Sequence, residues 1–232
     1  MPLTLNSFRS RVKSQAYTKE GMKMTRLTPI LFVRVANMKN YRGVTKQDIP
    51  KGGGAWVDEN KDAGEAYNFL PLKIEGDRCL GYVQIAGSID RKNPTLHIEN
   101  IIDCQTMINE DYVDNVHIVF CASNGSSIMR VVGFYRNATV CRYLEYVNVH
   151  GRNHLYHFDA MAEDAFCIPF RERYEDSRWE VPISGKWGYD FGFGRSNLCY
   201  FSEVYSNEKA MSYVLNMIDS IETYRGKNVL GR

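Results

Sequence analysis

The stretch Met129-Arg-Val-Val-Gly-Phe-Tyr-Arg-Asn-Ala-Thr-Val-Cys-Arg-Tyr-Leu-Glu145 is rich in β-branched and aromatic residues and has no proline, which is typical of a long β-strand. A strong turn signal, Asn124-Gly-Ser-Ser127, precedes it, and the apolar run 115–122 lies before that turn. Gly133 interrupts the long strand, where a glycine indicates a bulge or a close approach of the backbone to a neighbour. The sequence therefore predicts two strands joined by a turn.

Shorter runs of the same kind predict further strands at 30–35, 67–72, 79–86, 96–102 and 156–161. Near the end of the chain the pattern changes to a helical one. Between Glu208 and Tyr224 an apolar stripe has the spacing of one helix face; it consists of Met211, Val214, Leu215, Ile218 and Ile221. We therefore predict an α+β fold: a β-rich, curled or barrel-like mixed sheet with a C-terminal helix packed on it.

The same patterns predict one domain. We place it at 28–226, between a flexible basic extension at 1–27 and a short tail at 227–232. The first 26 residues carry six basic side chains and a single acidic one, Glu20. Three interpretations of this extension stay open: a solvated arm, an arm that contacts phosphates, and a targeting peptide.

The composition excludes two broad classes of protein. The formal net charge of the chain is only +2, far below that of a protein that coats DNA nonspecifically. No apolar run approaches the roughly 20 residues that a membrane-spanning helix needs, so we expect no membrane partner. The six cysteines form no CxxC pair, which predicts buried free thiols and a cytoplasmic location.

Catalytic signatures are missing from the sequence, which contains no HExxH, GxSxG or P-loop motif. His150, His154 and His157 have a spacing that would suit a metal on a helix, but their surroundings predict a loop that enters a strand. We therefore expect no metal and no cofactor. One enzymatic alternative stays open, a metal-dependent nuclease built from carboxylates of a long loop: Asp58, Glu59, Asp62 and Glu65.

Aromatic side chains next to amides and hydroxyls are the most distinctive feature of the sequence. Flat rings can stack on a nucleobase, and amides can bind its hydrogen-bonding edge. In a β-rich domain the same rings can equally form the core. The candidate base-binding residues are Trp56, Tyr67, Asn68, Phe69, Tyr82, Tyr135, Asn137, Ser196 and Asn197.

Several ordered motifs carry a resemblance to a known family. They are Leu31-Phe-Val-Arg-Val-Ala-Asn-Met-Lys-Asn-Tyr41, Gly52-Gly-Gly-Ala-Trp-Val57, Glu65-Ala-Tyr-Asn-Phe69, Gly81-Tyr-Val-Gln84, Val132-Gly-Phe-Tyr-Arg-Asn-Ala-Thr-Val-Cys-Arg142 and Gly194-Arg-Ser-Asn197. The series resembles the N-terminal module of prokaryotic HNH-type and related restriction endonucleases, over about residues 29–225. It differs from the complete enzymes in one respect, because the chain has no HNH motif.

The resemblance implies a PUA-like or EVE-like reader of a modified base, with modified cytosine the first candidate. Such a reader flips the base out of double-stranded DNA and directs a separate nuclease domain or subunit to it. Carried onto this chain, Trp56, Tyr67 and Tyr82 or Tyr135 would wall the pocket, and Asn68 and Asn197 would bind the base edge. Flanking phosphates would be held by Arg136, Arg142 and Arg195. The resemblance favours a binding module over an enzyme. Two further alternatives stay open: a protein-interaction domain without a nucleic-acid ligand, and a small-molecule sensor that uses the same pocket.

Overall fold

The computed structural model of the chain describes residues 27–85, 95–125 and 128–231. The predicted basic extension therefore lies almost entirely outside the described residues. The strands are β1 (Ile30–Arg34), β2 (Pro71–Lys73), β3 (Asp77–Gly81), β4 (Tyr112–Ser123), β5 (Met129–Val149), β6 (Arg152–Met161), β7 (Ala165–Cys167), β8 (Glu180–Val181) and β9 (Leu198–Cys199). The α-helices are α1 (Ala55–Asn60), α2 (Glu172–Glu175) and α3 (Glu208–Glu222), and short 3-10 helices lie between the strands.

All nine strands belong to one mixed sheet with the order β2-β3-β6-β5-β4-β1-β9. The β1–β4 pair is parallel and the other pairs are antiparallel. The predicted α+β class, with a large mixed sheet and a C-terminal helix, is confirmed.

Strand β5 is the longest strand of this sheet, and it extends four residues beyond Glu145, the end of the predicted strand. One of its edges pairs with β4, whereas the other edge pairs with β8, β7 and β6 in turn. Gly133 lies where β7 joins, and a Cβ atom there would be 2.5 Å from the carbonyl oxygen of Phe166 and 2.5 Å from the Phe69 ring. The glycine is therefore required by a close approach of β7 and a core ring to β5.

The expectation of a barrel-like closure is wrong. Strands β2 and β9 lie at opposite ends of the strand order, and in the described part of the chain they do not pair with each other. Both edge strands are very short, three and two residues long. Closure removes the exposed edges of a sheet, whereas here the edges are kept short and helices and loops cover both faces.

Two apolar cores lie on the two faces of the sheet. In β1, Leu31 and Val33 belong to one core, and Ile30 and Phe32 belong to the other. The period of two that a strand imposes explains this division. The first core is covered by loops, and the second is covered by α3 and by the aromatic segment around Trp179.

Helix α3 packs on the second core, as predicted. Asn207 caps its N-terminus, because the side-chain oxygen accepts hydrogen bonds from the backbone N–H groups of Lys209 and Ala210. Four residues of the predicted stripe pack against the core, whereas Leu215 is 46% exposed. None of the helices in the described ranges has the length and hydropathy needed to cross a membrane.

Two local expectations have different outcomes. The run 96–102 is not a strand: Ile98–Asn100 forms a 3-10 helix whose turn is closed by a hydrogen bond from Asn100 N to the carbonyl oxygen of His97. The prediction of free thiols is confirmed for all six cysteines, of which only Cys141 is not fully buried. Burial raises the pKa of the Cys141 thiol to about 12, so that thiol stays protonated near neutral pH.

Candidate functional site

The predicted base-binding residues do not form one pocket, and two of the aromatic ones lie in the core. Phe69 and Tyr135 are fully buried, with ring centroids 5.4 Å apart in an edge-to-face contact. Both also pack against Phe120, at 5.2 Å and 4.8 Å. Their rings stabilise the first core and offer no surface to a ligand.

Asn68 is also buried, and its side chain holds a strand end in place. Its Nδ2 donates to the carbonyl oxygen of Tyr82, and its Oδ1 accepts from the N–H of Tyr82, both at 2.9 Å. The hydroxyl of Tyr135 donates to the backbone carbonyl oxygen of Asn68. Because the amide edge of Asn68 already bonds the Tyr82 backbone, it is not available to bind a nucleobase.

Two of the three predicted phosphate-binding arginines bind the protein itself. The guanidinium of Arg136 donates to the carbonyl oxygens of Ile221, at 2.9 Å, and Tyr224, at 3.1 Å, which places a cation at the C-terminus of α3. Arg142 is buried and donates to Glu99 and to three backbone carbonyls. Their charges therefore stabilise the fold, and only Arg195 among the three is exposed to solvent.

Four more of the predicted residues lie at or near the surface, on α1, on β5 and in the loop before β9. Trp56 is 61% exposed on α1, and Asn137 is exposed on β5 with a positive φ of 49°. Ser196 Oγ accepts from the N–H of Leu198 at 3.0 Å. Asn197 Nδ2 donates to the carbonyl oxygen of Gln84 at 2.9 Å, which joins the loop before β9 to the segment that follows β3.

Tyr67 lies at a small surface pocket, which we call the hairpin pocket because one wall is the β5–β6 hairpin. The cavity has a volume of about 110 Å³ and is lined by Asp62, Ala63, Gly64, Tyr67, Leu80, Arg152, Asn153, His154 and Leu155. The guanidinium carbon of Arg152 lies 3.8 Å from the centre of the Tyr67 ring. The His154 ring meets the same tyrosine edge-on at 6.2 Å.

Neither Arg152 nor His154 was among the predicted site residues. Both lie on β6 two positions apart, so the alternation of a strand places them on one face. That spacing was visible in the sequence, but the tyrosine that they meet comes from a loop 85 residues earlier. Burial, assisted by the charge of Arg152, lowers the pKa of His154, so the imidazole is neutral at pH 7.

Tyr82 lies beside the hairpin pocket, and Gly64 belongs to both regions. A Cβ atom at Gly64 would lie 2.6 Å from the Tyr82 ring, so only glycine lets the ring lie against the 3-10 helix Gly64–Tyr67. The hydroxyl of Tyr82 donates to Gln84 Oε1 at 2.5 Å. Burial raises the pKa of Tyr82 to about 12, so the hydroxyl stays a hydrogen-bond donor over the physiological pH range.

Glu65 lies in the 3-10 helix Gly64–Tyr67, and its carboxyl group is buried. Burial raises its pKa, and the hydrogen bonds from its own N–H and from that of Ala36 oppose the rise. Glu65 is one of the four carboxylates of the nuclease alternative. In the described ranges, no three His, Cys, Asp or Glu side chains are arranged so that they could hold a metal ion.

His157 packs against Tyr82 from the sheet side, with ring centroids 6.4 Å apart and an interplanar angle of 22°. It is 1% exposed. Burial lowers its pKa to about 4, although a hydrogen bond with the carbonyl oxygen of Cys141 opposes the shift. Because the folded pKa lies below the value of about 6.5 for an unfolded chain, the unfolded chain takes up the proton first as the pH falls.

Stability should therefore decrease on acidification. From pH 7 to pH 5 we expect His157 alone to lower the free energy of unfolding by about 2 kcal/mol. Urea unfolding at both pH values, for the native chain and for His157→Gln, measures this contribution as the difference between the two profiles. His150→Gln, at an exposed turn position, is the control. Its stability should change with pH in the same way as that of the native chain. Parallel profiles for the native chain and His157→Gln would contradict the expectation.

Comparisons with known proteins identify no relative of this chain. No protein-family model, no curated protein and no solved structure matches the chain.

Proposed function

We propose that this protein is a DNA-binding module that recognises a modified base, with the hairpin pocket as the place where the flipped base is held. The observation that carries the proposal is the contact between Arg152 and Tyr67, 3.8 Å apart at the mouth of a surface cavity. An aromatic ring with a guanidinium over its face is the kind of platform on which nucleobases stack.

The size of the pocket favours a small planar group. Pockets for drug-sized ligands have volumes of about 300 to 1,000 Å³, whereas the hairpin pocket has about 110 Å³. A single base that stacks against the Tyr67–Arg152 pair would extend the existing stack. Unstacking a base costs a few kcal/mol, and stacking returns roughly 1 to 3 kcal/mol, so the edge contacts must supply the rest.

Polar groups for those edge contacts line the same cavity. Asn153 is oriented because its Oδ1 accepts from Asn148 Nδ2 at 2.8 Å. The neutral imidazole of His154 has one donor and one acceptor nitrogen, and Asp62 brings an acceptor to the opposite wall. A pyrimidine has donors and acceptors along one edge that such a set can complement, which supports modified cytosine as the first substrate to test.

The wider role follows from the family resemblance. We propose a PUA-like or EVE-like reader that provides the specificity of a restriction or defence system, works in the cytoplasm on double-stranded DNA, and directs a separate nuclease domain or subunit. The pocket supports a binding role because its groups can stack and form hydrogen bonds with a base.

The test is binding of the purified chain to matched duplexes that differ only in one cytosine: unmodified, methylated, hydroxymethylated or glucosylated. We expect a preference of about tenfold or more for one modified duplex, which corresponds to 1.4 kcal/mol. Tyr67→Ala and Arg152→Ala should abolish the preference, because each removes half of the stacking platform.

Two control variants make this test specific. Tyr67→Phe keeps the ring and should keep the preference. Trp187→Ala removes a ring that is 70% exposed and does not line the pocket, so it should bind like the native chain. Equal binding to all duplexes by the native chain, or an unchanged preference in Tyr67→Ala and Arg152→Ala, would reject the proposed function of the pocket.

A further inference from the structure

We infer that a second cavity, which we call the lysine cavity, binds a nucleotide through its phosphate and its base. Its lining includes Asn37, Lys39, Lys46, Asp48, Lys51 and Phe170, and its volume is about 200 Å³. The nucleotide can be free or part of a nucleic-acid strand, since both present the same phosphate and ring. This inference does not depend on base recognition at the hairpin pocket.

The loop that carries the three lysines is held by backbone hydrogen bonds. Asn37 and Lys51 form an antiparallel bridge, with N–H to carbonyl distances of 2.8 Å and 3.2 Å. Thr45 and Asp48 close a turn in the same way, at 3.2 Å and 3.1 Å, with Lys46 at its exposed tip. The lysine side chains therefore extend from a fixed backbone, which lowers the entropy cost of bringing them to one ligand.

The single acidic side chain in the lining does not neutralise the lysines. The carboxylate of Asp48 is buried and accepts hydrogen bonds from the backbone N–H groups of Lys39, at 2.6 Å, and Asn40, at 2.8 Å. Within the described ranges, Lys39, Lys46 and Lys51 form no ion pair. The cavity therefore has a positive excess, which favours an anion.

A buried arginine adds a fixed positive charge behind the loop. Arg173 is fully buried and donates to the carbonyl oxygens of Met38, at 2.6 Å, Ile168, at 2.8 Å, and Lys39. In the part of the chain that the structure describes, its guanidinium forms no ion pair and is compensated only by carbonyl dipoles, a thiol and aromatic rings. Because Arg173 is buried away from water, its charge is weakly screened and strengthens the positive potential of the loop.

Phe170 distinguishes a nucleotide from a simple phosphate. Its side chain is 38% exposed in the lining of the cavity, and the Arg173 guanidinium lies 5.6 Å from the ring centre. Tyr174 supports the ring at 5.3 Å. A positioned, partly exposed ring beside three lysines can stack a base while the lysines hold its phosphate.

The charges of Lys39, Lys46 and Lys51 are tested with the triple variant K39A/K46A/K51A. The ligands are a short labelled single-stranded oligonucleotide, a DNA duplex, adenosine monophosphate and inorganic phosphate, at several salt concentrations. We expect at least about tenfold weaker binding of the nucleotide ligands and a salt slope lower by about 2 to 3 for the duplex. K186A/K209A/K227A removes the same charge from exposed positions outside this cavity and should bind like the native chain.

Separate tests address the Phe170 ring and whether the ligand is a free nucleotide or part of a strand. F170A should weaken oligonucleotide binding about tenfold with little change in the salt slope, and L215A, at another exposed apolar position, should not. If adenosine monophosphate binds and competes with the oligonucleotide, the ligand is a nucleotide in either form. If only the oligonucleotide and duplex bind, the ligand is a strand. Binding of inorganic phosphate as tight as that of the nucleotides would reject the role of Phe170.

Two further results would overturn the inference: native binding by K39A/K46A/K51A, or equal losses in the two triple variants, which would reduce the effect to net charge. Should the triple variant fail to fold, K46A alone, at the tip of the turn, should still lower the salt slope by about 1. Loss of binding in these variants should affect modified and unmodified duplexes equally. A changed preference between modified and unmodified duplexes would instead report on the hairpin pocket. The two proposals can therefore fail separately.

Discussion

Replacing Arg142 with alanine is expected to lower the free energy of unfolding by about 4 kcal/mol, the range in which a buried charged partner is lost. Arg142 is 8% exposed, and its guanidinium bonds four acceptors. Nη1 lies 2.7 Å from Glu99 Oε2, and the other nitrogens donate to the carbonyl oxygens of Glu110, Met107 and Ile108 at 2.8 to 3.0 Å. Alanine leaves these acceptors without their donor in a partly buried site.

Glu99 explains much of the expected effect. Burial opposes the ionisation of Glu99, but hydrogen bonds from its own N–H, Arg142 and His97 lower its pKa to about 2. The carboxylate is therefore charged at pH 7 and depends on Arg142 for its compensation. Removal of the arginine leaves that charge partly buried, which costs more than the loss of an exposed pair.

Urea unfolding at pH 7 measures the change for Arg142→Ala, and Arg195→Ala, at an exposed position, is the matched control. The control should stay within about 0.5 kcal/mol of the native chain. Arg142→Lys keeps the charge but loses the fork of donors, so its stability should lie between the two. A loss of unfolding free energy below about 1 kcal/mol in Arg142→Ala would show that Arg142 does not anchor Glu99 and the three carbonyl groups.

A methyl group at Gly133 should cost about 3 kcal/mol, the upper part of the usual range for overpacking. The added Cβ of Gly133→Ala would meet two atoms at 2.5 Å, the carbonyl oxygen of Phe166 and the tip of the Phe69 ring. The ring can turn, but the carbonyl belongs to β7, which pairs with β5 through Gly133 and Cys167. Relief therefore requires a shift of a paired strand.

Gly194→Ala is the control for this substitution, because a Cβ there has no neighbour within 4 Å and the backbone is not left-handed. It should change the free energy of unfolding by no more than about 0.5 kcal/mol. In the Gly133→Ala background, Phe69→Leu should recover only part of the loss, since the carbonyl contact remains. Equal stabilities of Gly133→Ala and Gly194→Ala would contradict the close approach of β7.

The candidate site shows why residue types alone do not locate a ligand. Phe134 and Tyr135 are consecutive on β5, and both are fully buried because both faces of the sheet are covered. In such a strand the apolar run is almost continuous, and the period of two that separates a buried face from an exposed one disappears. Accordingly, sequence reasoning placed Tyr135 in the pocket, whereas it lies in the core.

The arginines show the same limit for charged residues. Arg136 lies in the long strand and was predicted from the family resemblance to bind a phosphate, yet its partner is Ile221, 85 residues away. The lysine cavity was missed for the opposite reason. Its lysines lie in a loop that resembles an ordinary solvated segment, and only the contact with Arg173 and Phe170 gives the loop a cavity and an aromatic wall.

Elements whose signals are local could be predicted from the amino-acid sequence. The long strand, the helix at 208–224 and the buried free cysteines follow from propensity, period and spacing within a few residues. The packed fold was needed to show whether the sheet closes, which aromatic rings are exposed and what each arginine binds. These outcomes depend on contacts between residues far apart in the chain, and the burial and hydrogen bonds that settle them do not exist until both sides have packed.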